Sequence, residues 1–179
     1  MTTLRRIMMA TVDIVTDVDR EMMDRALLLA QEAADNGEVP IAAVIYHGRD
    51  IIAEAANNRE ATGDPTGHAE LVAMRRAGEA MGAWRLLECS MVVTLEPCPM
   101  CAGAAVNARL ARLIYGATDA KAGACETLYE IPTDRRLNHR VTVHGGVGAE
   151  ESVALLAAFF TSRRGDSRGG SRGGSEGAS

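Results

Sequence analysis

Residues 97–101 read Pro97-Cys98-Pro99-Met100-Cys101, and their chemistry becomes clear only beside His68-Ala69-Glu70 upstream. Two cysteines three positions apart lie on one face of the first turn of a helix. Two thiolates and one imidazole are three of the four ligands of an open zinc site, which leaves a tetrahedral position for water. The spacing therefore predicts a catalytic metal site, with Glu70 available as a proton carrier.

Each motif taken separately has another explanation. A histidine at a helix start is most often a cap or a core residue, and Cys-x-x-Cys in a cytosolic α/β protein is also the thioredoxin-like redox motif. A redox pair does not require His68 and Glu70 at the start of a second helix, so the combination favours a catalytic zinc site. A structural zinc site would need a fourth ligand, and the candidates are Cys89, Cys125, His139 and His144. Buried thiols and ordinary loop histidines are the simpler explanation of these four.

The composition is that of an ordinary globular domain. The 179 residues are 47% hydrophobic, 24% charged and 3% aromatic, which suits one domain with an aliphatic core. No apolar run approaches the roughly 18 residues of a membrane span, and the first residues do not resemble a secretory signal. We therefore expect a cytoplasmic protein without a membrane partner, in which cysteines serve as metal ligands or free thiols. The net charge of -5 argues mildly against a nucleic-acid partner, although an acidic protein can carry a basic patch.

Hydrophobic periodicity predicts alternating helices and strands. Helices are expected at 19–36, 68–81, 98–108 and 149–164, and strands at 40–46, 51–56, 91–95, 113–116 and 141–143. Segment 57–67 is rich in turn-forming residues and should be a loop that leads to His68. This order predicts a three-layer α/β/α domain with a mixed central sheet of about five strands, the first pair antiparallel.

Three segments are expected along the chain. Residues 1–17 form a weakly ordered N-terminal extension, and residues 18–164 form the domain that carries the chemistry. Residues 165–179 are a Gly/Ser/Arg-rich tail with nothing to bury, which predicts disorder.

Further motifs extend well beyond the zinc signature. They are Val39-Pro40, Asn57, the run from Asp64 to Glu70, Trp84-Arg85-Leu86, the run from Val93 to Gly103, Tyr115-Gly116-Ala117, Asp119-Ala120-Lys121, Leu137-Asn138-His139-Arg140 and Phe159-Phe160. Together they resemble the bacterial tRNA adenosine deaminase family, part of the zinc-dependent cytidine and deoxycytidylate deaminase superfamily. The resemblance covers about residues 20–164, whereas the zinc motif alone is shared by many nucleobase deaminases.

The resemblance implies a cytidine-deaminase-like fold, a homodimer and one Zn²⁺ per subunit. It also implies hydrolytic conversion of the wobble adenosine in a tRNA anticodon stem-loop to inosine, with release of ammonia. In such a site zinc makes water nucleophilic, and Glu70 carries protons from that water to the ring nitrogen and the leaving amine. By this resemblance His68, Cys98 and Cys101 hold zinc, and the substrate-binding residues are Asn57, Ala69, Asp119, Phe159, Phe160 and Arg163.

Two other functions remain open on the sequence. A deaminase of free guanine, cytidine or adenosine would share the zinc motif and suit the acidic charge. A non-enzymatic, zinc-stabilised RNA-binding protein could use the Arg-Gly-Gly tail. The chain also departs from the family pattern at Ala42, Gly67 and Glu126, which bear on the pocket wall.

Overall fold

The computed structural model describes residues 14–169, with the backbone alone for 165–169. The helices are α1 (Asp17–Asp35), α2 (Arg59–Thr62), α3 (Ala69–Met81), α4 (Pro99–Asn107) and α5 (Ala149–Gly169). The strands are β1 (Ala42–His47), β2 (Asp50–Ala56), β3 (Ser90–Leu95), β4 (Arg112–Ala117) and β5 (Thr142–His144), and a 3-10 turn covers Ile131–Thr133. Within residues 14–169, no helix is both long and apolar enough to cross a membrane.

The strands form one mixed sheet in the order β2-β1-β3-β4-β5. Strand β1 pairs antiparallel with both β2 and β3, and β3, β4 and β5 run parallel. The parallel step from β3 to β4 is made by α4, as expected of a helical crossover. The predicted five-stranded mixed sheet is confirmed.

Helices cover both faces of this sheet. Side chains alternate between the two faces along each central strand, and both sets are apolar, so each face needs a helix to bury it. One face packs on α1, through the buried residues Met22, Met23, Ala26, Val44, Tyr46, Val92 and Ile114. The other face packs on α3 and α4, through buried residues that include Ile45, Met91, Val93, Leu113 and Tyr115. Burial on both faces explains why β1 and β3 are nearly continuous apolar runs.

Three boundaries differ from the prediction. Helix α1 begins at Asp17, because Thr16 and Asp19 form a capping box that fixes its first turn. The predicted loop 57–67 contains the short helix α2, and α5 continues to Gly169 instead of ending at residue 164. Residues 14–17 are thus tied to α1, whereas the expectations for residues 1–13 and 170–179 lie outside the described residues.

A buried carboxylate joins α1 to the sheet. Asp19 is fully buried, and both of its oxygens accept hydrogen bonds from Arg112 of β4 at 2.8 Å. The hydroxyl of Tyr46 and the backbone N–H of Thr16 donate to the same carboxylate. Burial alone raises the pKa of Asp19, but these hydrogen bonds outweigh it and hold the pKa at about 2.

We predict that Asp19→Asn lowers the free energy of unfolding by about 3 kcal/mol, because Arg112 keeps a largely buried charge without its partner. Urea denaturation at neutral pH measures this, and Tyr46→Phe should cost only about 1 kcal/mol. Since the folded pKa lies below its ordinary 3.8, the ion pair stabilises the protein above that pH and is lost as pH falls towards about 2. The difference between wild type and Asp19→Asn should therefore shrink on acidification, and a difference that does not change with pH would contradict the assignment.

Candidate active site

The candidate site lies at one edge of the sheet, where four chain segments meet. The first residue of β1 and the last residue of β2 lie side by side at this edge, since Ala42 pairs with Ala56. The carboxyl ends of the parallel strands β3 and β4 reach the same edge, since Leu95 pairs with Ala117. The topology therefore brings Asn57, which follows β2, close to the segments that follow β3 and β4.

Two helices begin at this edge with a metal ligand as the N-cap residue. His68 precedes α3 and Cys98 precedes α4, and neither side chain caps its own helix. Both side chains turn instead towards the cluster that Cys101 completes from the first turn of α4. The N-terminal ends of both helices stabilise negative charge there, which favours the thiolate form of the cysteines.

The three donor atoms have the spacing that zinc requires. The two sulfurs are 3.6 Å apart, and His68 Nδ1 lies 3.7 Å from Cys98 Sγ and 3.5 Å from Cys101 Sγ. Tetrahedral zinc, with bonds of about 2.3 Å to sulfur and about 2.0 Å to nitrogen, requires separations of about 3.8 Å between sulfurs and about 3.5 Å from nitrogen to sulfur. The residues form a metal-binding triad that fits zinc in both donor type and distance.

No fourth protein donor joins this cluster in the described part of the chain. Cys89 contacts the sulfur of Met81, and His139 contacts the carbonyl of Leu110. Cys125 is buried and lies near the site, but its thiol is not part of the cluster. A site with three protein ligands keeps one position for water, which is the arrangement of catalytic zinc.

The pKa values of the ionisable groups in the site are shifted from their ordinary values. The contact with Cys101 lowers the pKa of Cys98 to about 5, against the opposing effect of burial. The same contact, together with burial, raises the pKa of Cys101. Glu70 is 4% exposed, and its burial raises the pKa of the carboxyl. A carboxylate with a raised pKa is a stronger proton acceptor than an ordinary glutamate, which suits a general base.

A pocket of about 250 Å³ opens beside the triad. It brings together five residues that the sequence predicts for the site, namely Asn57, His68, Glu70, Cys98 and Asp119. It is also lined by six residues that the sequence reasoning did not assign, namely Val39, Ile41, Arg59, Leu95, Glu96 and Ala122. Val39, Leu95 and Glu96 belong to quoted motifs and the other three lie within two positions of one, but only the folded structure shows that all six share one cavity.

Four of the residues expected to bind substrate lie elsewhere. Ala69 is fully buried in the core at the start of α3. On α5, Phe159 is buried and Phe160 is half exposed, and their rings pack edge to face at 5.4 Å. Arg163 donates to the carbonyl of Gly37 and lies over the ring of Phe159. None of the four lines the pocket, and their contact with RNA stays a prediction.

Glu96 organises the pocket wall that follows β4. Its carboxylate is 2% exposed and accepts hydrogen bonds from the backbone N–H groups of Asp119, Cys125, Glu126 and Thr127, and from the Thr127 hydroxyl. Burial raises the pKa of Glu96, but these donors outweigh it and lower the pKa below its ordinary value. A single buried charge therefore fixes the segment that contributes Asp119 and Ala122 to the pocket.

Two of the three departures from the family pattern, Gly67 and Glu126, have local explanations, and nothing in the structure explains Ala42. A Cβ at Gly67 would lie 2.4 Å from Oδ1 of Asn58, so glycine gives that side chain room. Glu126 accepts a hydrogen bond from the buried Tyr115 hydroxyl and donates its N–H to Glu96. Ala42 is fully buried, and its N–H donates to Thr94. None of the three displaces a ligand of the triad.

Comparisons with known proteins agree with this geometry. The MafB19-like deaminase family model matches residues 17–164. A tRNA-specific adenosine deaminase of Haemophilus influenzae is 42% identical over 150 residues, covering 83% of this chain and 87% of the relative.

Two solved structures are also similar. One, from a study of A-to-I editing by tRNA:A34 deaminases at the wobble position of transfer RNA, has a TM-score of 0.73 and 40% identity, covering 76% of this chain and 99% of that one. A guanine deaminase of Bacillus subtilis has a TM-score of 0.54 and 30% identity, covering 80% of this chain and 92% of that one.

We predict that Glu96→Gln releases the segment from Asp119 to Thr127, because an amide cannot accept at both of the positions that the carboxylate fills. Amide hydrogen exchange at Cys125, Glu126 and Thr127 should accelerate about tenfold or more. The exposed residue Glu88 provides the matched control, since Glu88→Gln should leave these amides unchanged. Unchanged exchange in Glu96→Gln would show that other contacts hold the segment.

Proposed function

This chain belongs to the tRNA-specific adenosine deaminase family, and we propose that its pocket receives the wobble adenosine of a tRNA anticodon for hydrolysis to inosine and ammonia. The observation that carries the proposal is the meeting of a zinc-type triad, a buried Glu70 and Asn57 in one small pocket. The donor set supports Zn²⁺ as the bound metal, with one ion for each subunit.

The size and lining of the pocket suit a single base. Its 250 Å³ is below the roughly 300–1,000 Å³ of most small-molecule sites, so the rest of a polynucleotide would remain outside. The apolar side chains Val39, Ile41 and Leu95 offer surfaces against which a purine can stack, and Asn57 offers hydrogen bonds to it. An anticodon loop already presents unpaired bases, so extruding one costs less than opening a duplex.

Glu70 carries the protons of the reaction. A zinc ion in the triad supplies Lewis acidity that makes water a nucleophile near neutral pH. Glu70 accepts a proton as that water adds to the purine carbon bearing the amino group, and it delivers a proton to the adjacent ring nitrogen. A second transfer through the same carboxylate protonates the departing amine, and the C–N bond breaks as the carbonyl forms. Adenosine and water thus give inosine and ammonia, and the raised pKa of Glu70 suits both directions of transfer.

Two cations, Arg59 in the pocket lining and Lys121 in the neighbouring segment, support an RNA substrate despite the net charge of -5. Arg59 lines the pocket, and its guanidinium has no hydrogen-bond or ion-pair partner among the residues that the structure describes. Lys121 is exposed two positions after Asp119, in the segment that Glu96 anchors. Both cations can meet phosphates that flank the inserted base.

A deaminase of free nucleobases is the second candidate, favoured by the 30% identity to a guanine deaminase. Such an enzyme needs no phosphate contacts, whereas Arg59 is a cation in the pocket lining without a protein partner in the described region. The cytoplasmic location expected from the sequence stays a prediction.

We predict that the zinc-loaded protein converts adenosine to inosine in an anticodon stem-loop with adenosine at the wobble position. Mass spectrometry of the RNA measures the product, and ammonia release from free guanine, cytidine and adenosine is compared under the same conditions. Turnover of guanine without turnover of the hairpin would overturn the proposal in favour of the free-base enzyme.

Glu70→Gln is the matched control for this reaction. The variant keeps the size of the side chain but cannot shuttle protons, so turnover should fall by about 10²-fold or more while metal content is retained. Removal of the metal by a chelator should abolish turnover in the wild type, and added Zn²⁺ should restore it. Full activity of Glu70→Gln would refute the proton-shuttle role.

The proposal includes a homodimer, as the family resemblance implies. A shallow apolar cleft of about 670 Å³ lies between α3 and α4, and its lining includes Leu71, Met74, Trp84 and Ala104. Trp84 is 60% exposed there, an unusually large apolar side chain to leave in water. We assign a second copy of this chain to the cleft, because a partner seated there would remove Trp84 and the apolar lining from water.

Sedimentation should therefore give a particle of twice the chain mass of 19.0 kDa. Trp84→Asp should shift it to monomer by placing a charge in the apolar contact. Leu28→Asp is the control, since Leu28 is equally exposed but lies on α1. A monomeric wild type would contradict the dimer, and dissociation by Leu28→Asp alone would place the contact on the other face.

A further inference from the structure

Glu38 is a buried carboxylate that the reaction described above does not use. It is 6% exposed and lies two positions before Pro40, in the connection from α1 to β1. Its Oε2 accepts a hydrogen bond of 2.8 Å from Nδ2 of Asn57, and its Oε1 accepts one of 2.7 Å from the N–H of Ala61 in α2. Each oxygen therefore has its own donor, and both donors belong to the segment that leads to His68.

These contacts give the Asn57 amide one orientation. The backbone of Asn57 is fixed by the hydrogen bond from its N–H to the carbonyl of Ile41, and the side chain is 7% exposed. A carboxylate can only accept hydrogen bonds, so the amide nitrogen must face Glu38 and the amide oxygen must face away. The two ends of an amide have nearly the same shape, and without Glu38 either could occupy either place.

We propose that Glu38 is a positioning residue that sets which hydrogen-bonding atoms Asn57 presents to the base, and so contributes to the choice of purine. This inference rests on the proposed function only for the identity of the base. The amide of Asn57 lines the pocket together with Glu70 and His68, so its orientation is part of the surface that a base meets. If the Asn57 amide were turned round, it would present its NH₂ donor to the base in place of its oxygen acceptor. A base whose polar groups are left unpaired in this way binds much more weakly than one whose groups are paired.

The variant Glu38→Gln tests this orientation with almost no change in shape. The N–H of Ala61 needs an acceptor, and a glutamine at position 38 has only one side-chain oxygen to offer it. The NH₂ group of that glutamine therefore faces Asn57. Two amide nitrogens cannot hydrogen-bond to each other as donors, so Asn57 turns its oxygen towards position 38. Both hydrogen bonds survive, but Asn57 now presents the opposite end to the pocket.

Binding is measured in the metal-loaded Glu70→Gln background, so that the base stays intact. Two anticodon hairpins are compared, one with adenosine at the wobble position and one with an abasic nucleotide there. Glu38→Gln should lower the affinity for the adenosine hairpin about tenfold and change the affinity for the abasic hairpin by no more than about twofold. The reason is that only the adenosine hairpin has a base that contacts Asn57. Where the Glu70→Gln background itself binds the adenosine hairpin more tightly than the abasic one, equal weakening of both hairpins by Glu38→Gln, or of neither, would overturn the proposal.

A double-mutant cycle then identifies the residue through which Glu38 acts. Once Asn57→Ala is present, Glu38→Gln should have no further effect on the adenosine hairpin, whereas independent residues would show additive losses. Glu54→Gln is the matched control, since Glu54 also accepts two side-chain hydrogen bonds, from Arg25, but does not line the pocket. That control should leave both hairpins unchanged.

A second measurement does not depend on the substrate. Side-chain amide protons of Asn57, assigned by NMR with Asn57→Ala as reference, should exchange with solvent about tenfold faster in Glu38→Gln, because the turned NH₂ group faces the pocket. Unchanged exchange would overturn the positioning role even if RNA binds. Faster exchange in a protein that does not distinguish the two hairpins would instead refute the proposed substrate and leave the role of Glu38 intact.

Discussion

The spacing of the three metal-ligand atoms constrains where the helices and strands around them can lie. His68 Nδ1 and the two sulfurs must lie within bonding distance of one ion, and these atoms come from two helices that are separate in the sequence. Helices α3 and α4 must therefore begin at the same edge of the sheet, with their N-terminal ends beside the same cluster. The sheet order makes this possible, because β3 lies between β1 and β4 and delivers Cys98 to the middle of that edge.

Two buried carboxylates hold the segments that line the pocket. Glu38 holds Asn57 and the helix α2, and Glu96 holds the segment from Asp119 to Thr127. Burying a carboxylate is costly unless its oxygens are hydrogen-bonded, and here N–H and O–H donors supply those bonds. Each carboxylate thus converts loop backbone, which would otherwise be variable, into a defined wall. The metal triad fixes the reacting centre, and the two carboxylates fix what surrounds it.

Much of this architecture was predictable from particular residues. The apolar runs that became β1 and β3 indicated buried strands, and the parallel crossover followed from the helix between β3 and β4. The triad followed from the Cys-x-x-Cys spacing and the His-x-Glu motif, since ligand chemistry restricts residue type and local spacing closely. The start of α1 was missed although Thr16 and Asp19 carry a recognisable capping box. The network of Asp19, Tyr46 and Arg112 was not predictable, because its members are distant in the sequence and no local pattern links them.

The sequence by itself determined the fold class and the metal-binding triad, because these depend on short-range periodicity and on residue chemistry at fixed spacing, whereas the proton-carrying role of Glu70 stays a prediction. Only the tertiary structure decided the walls of the pocket. It placed Val39, Arg59 and Leu95 in one cavity and left Phe159, Phe160 and Arg163 outside its lining. It also gave Glu38 and Glu96 their partners. The physical reason is that the hydrogen-bond donors of a buried carboxylate cannot be identified from its neighbours in the sequence. Those donors are mostly backbone N–H groups and distant side chains, and only folding brings them within reach.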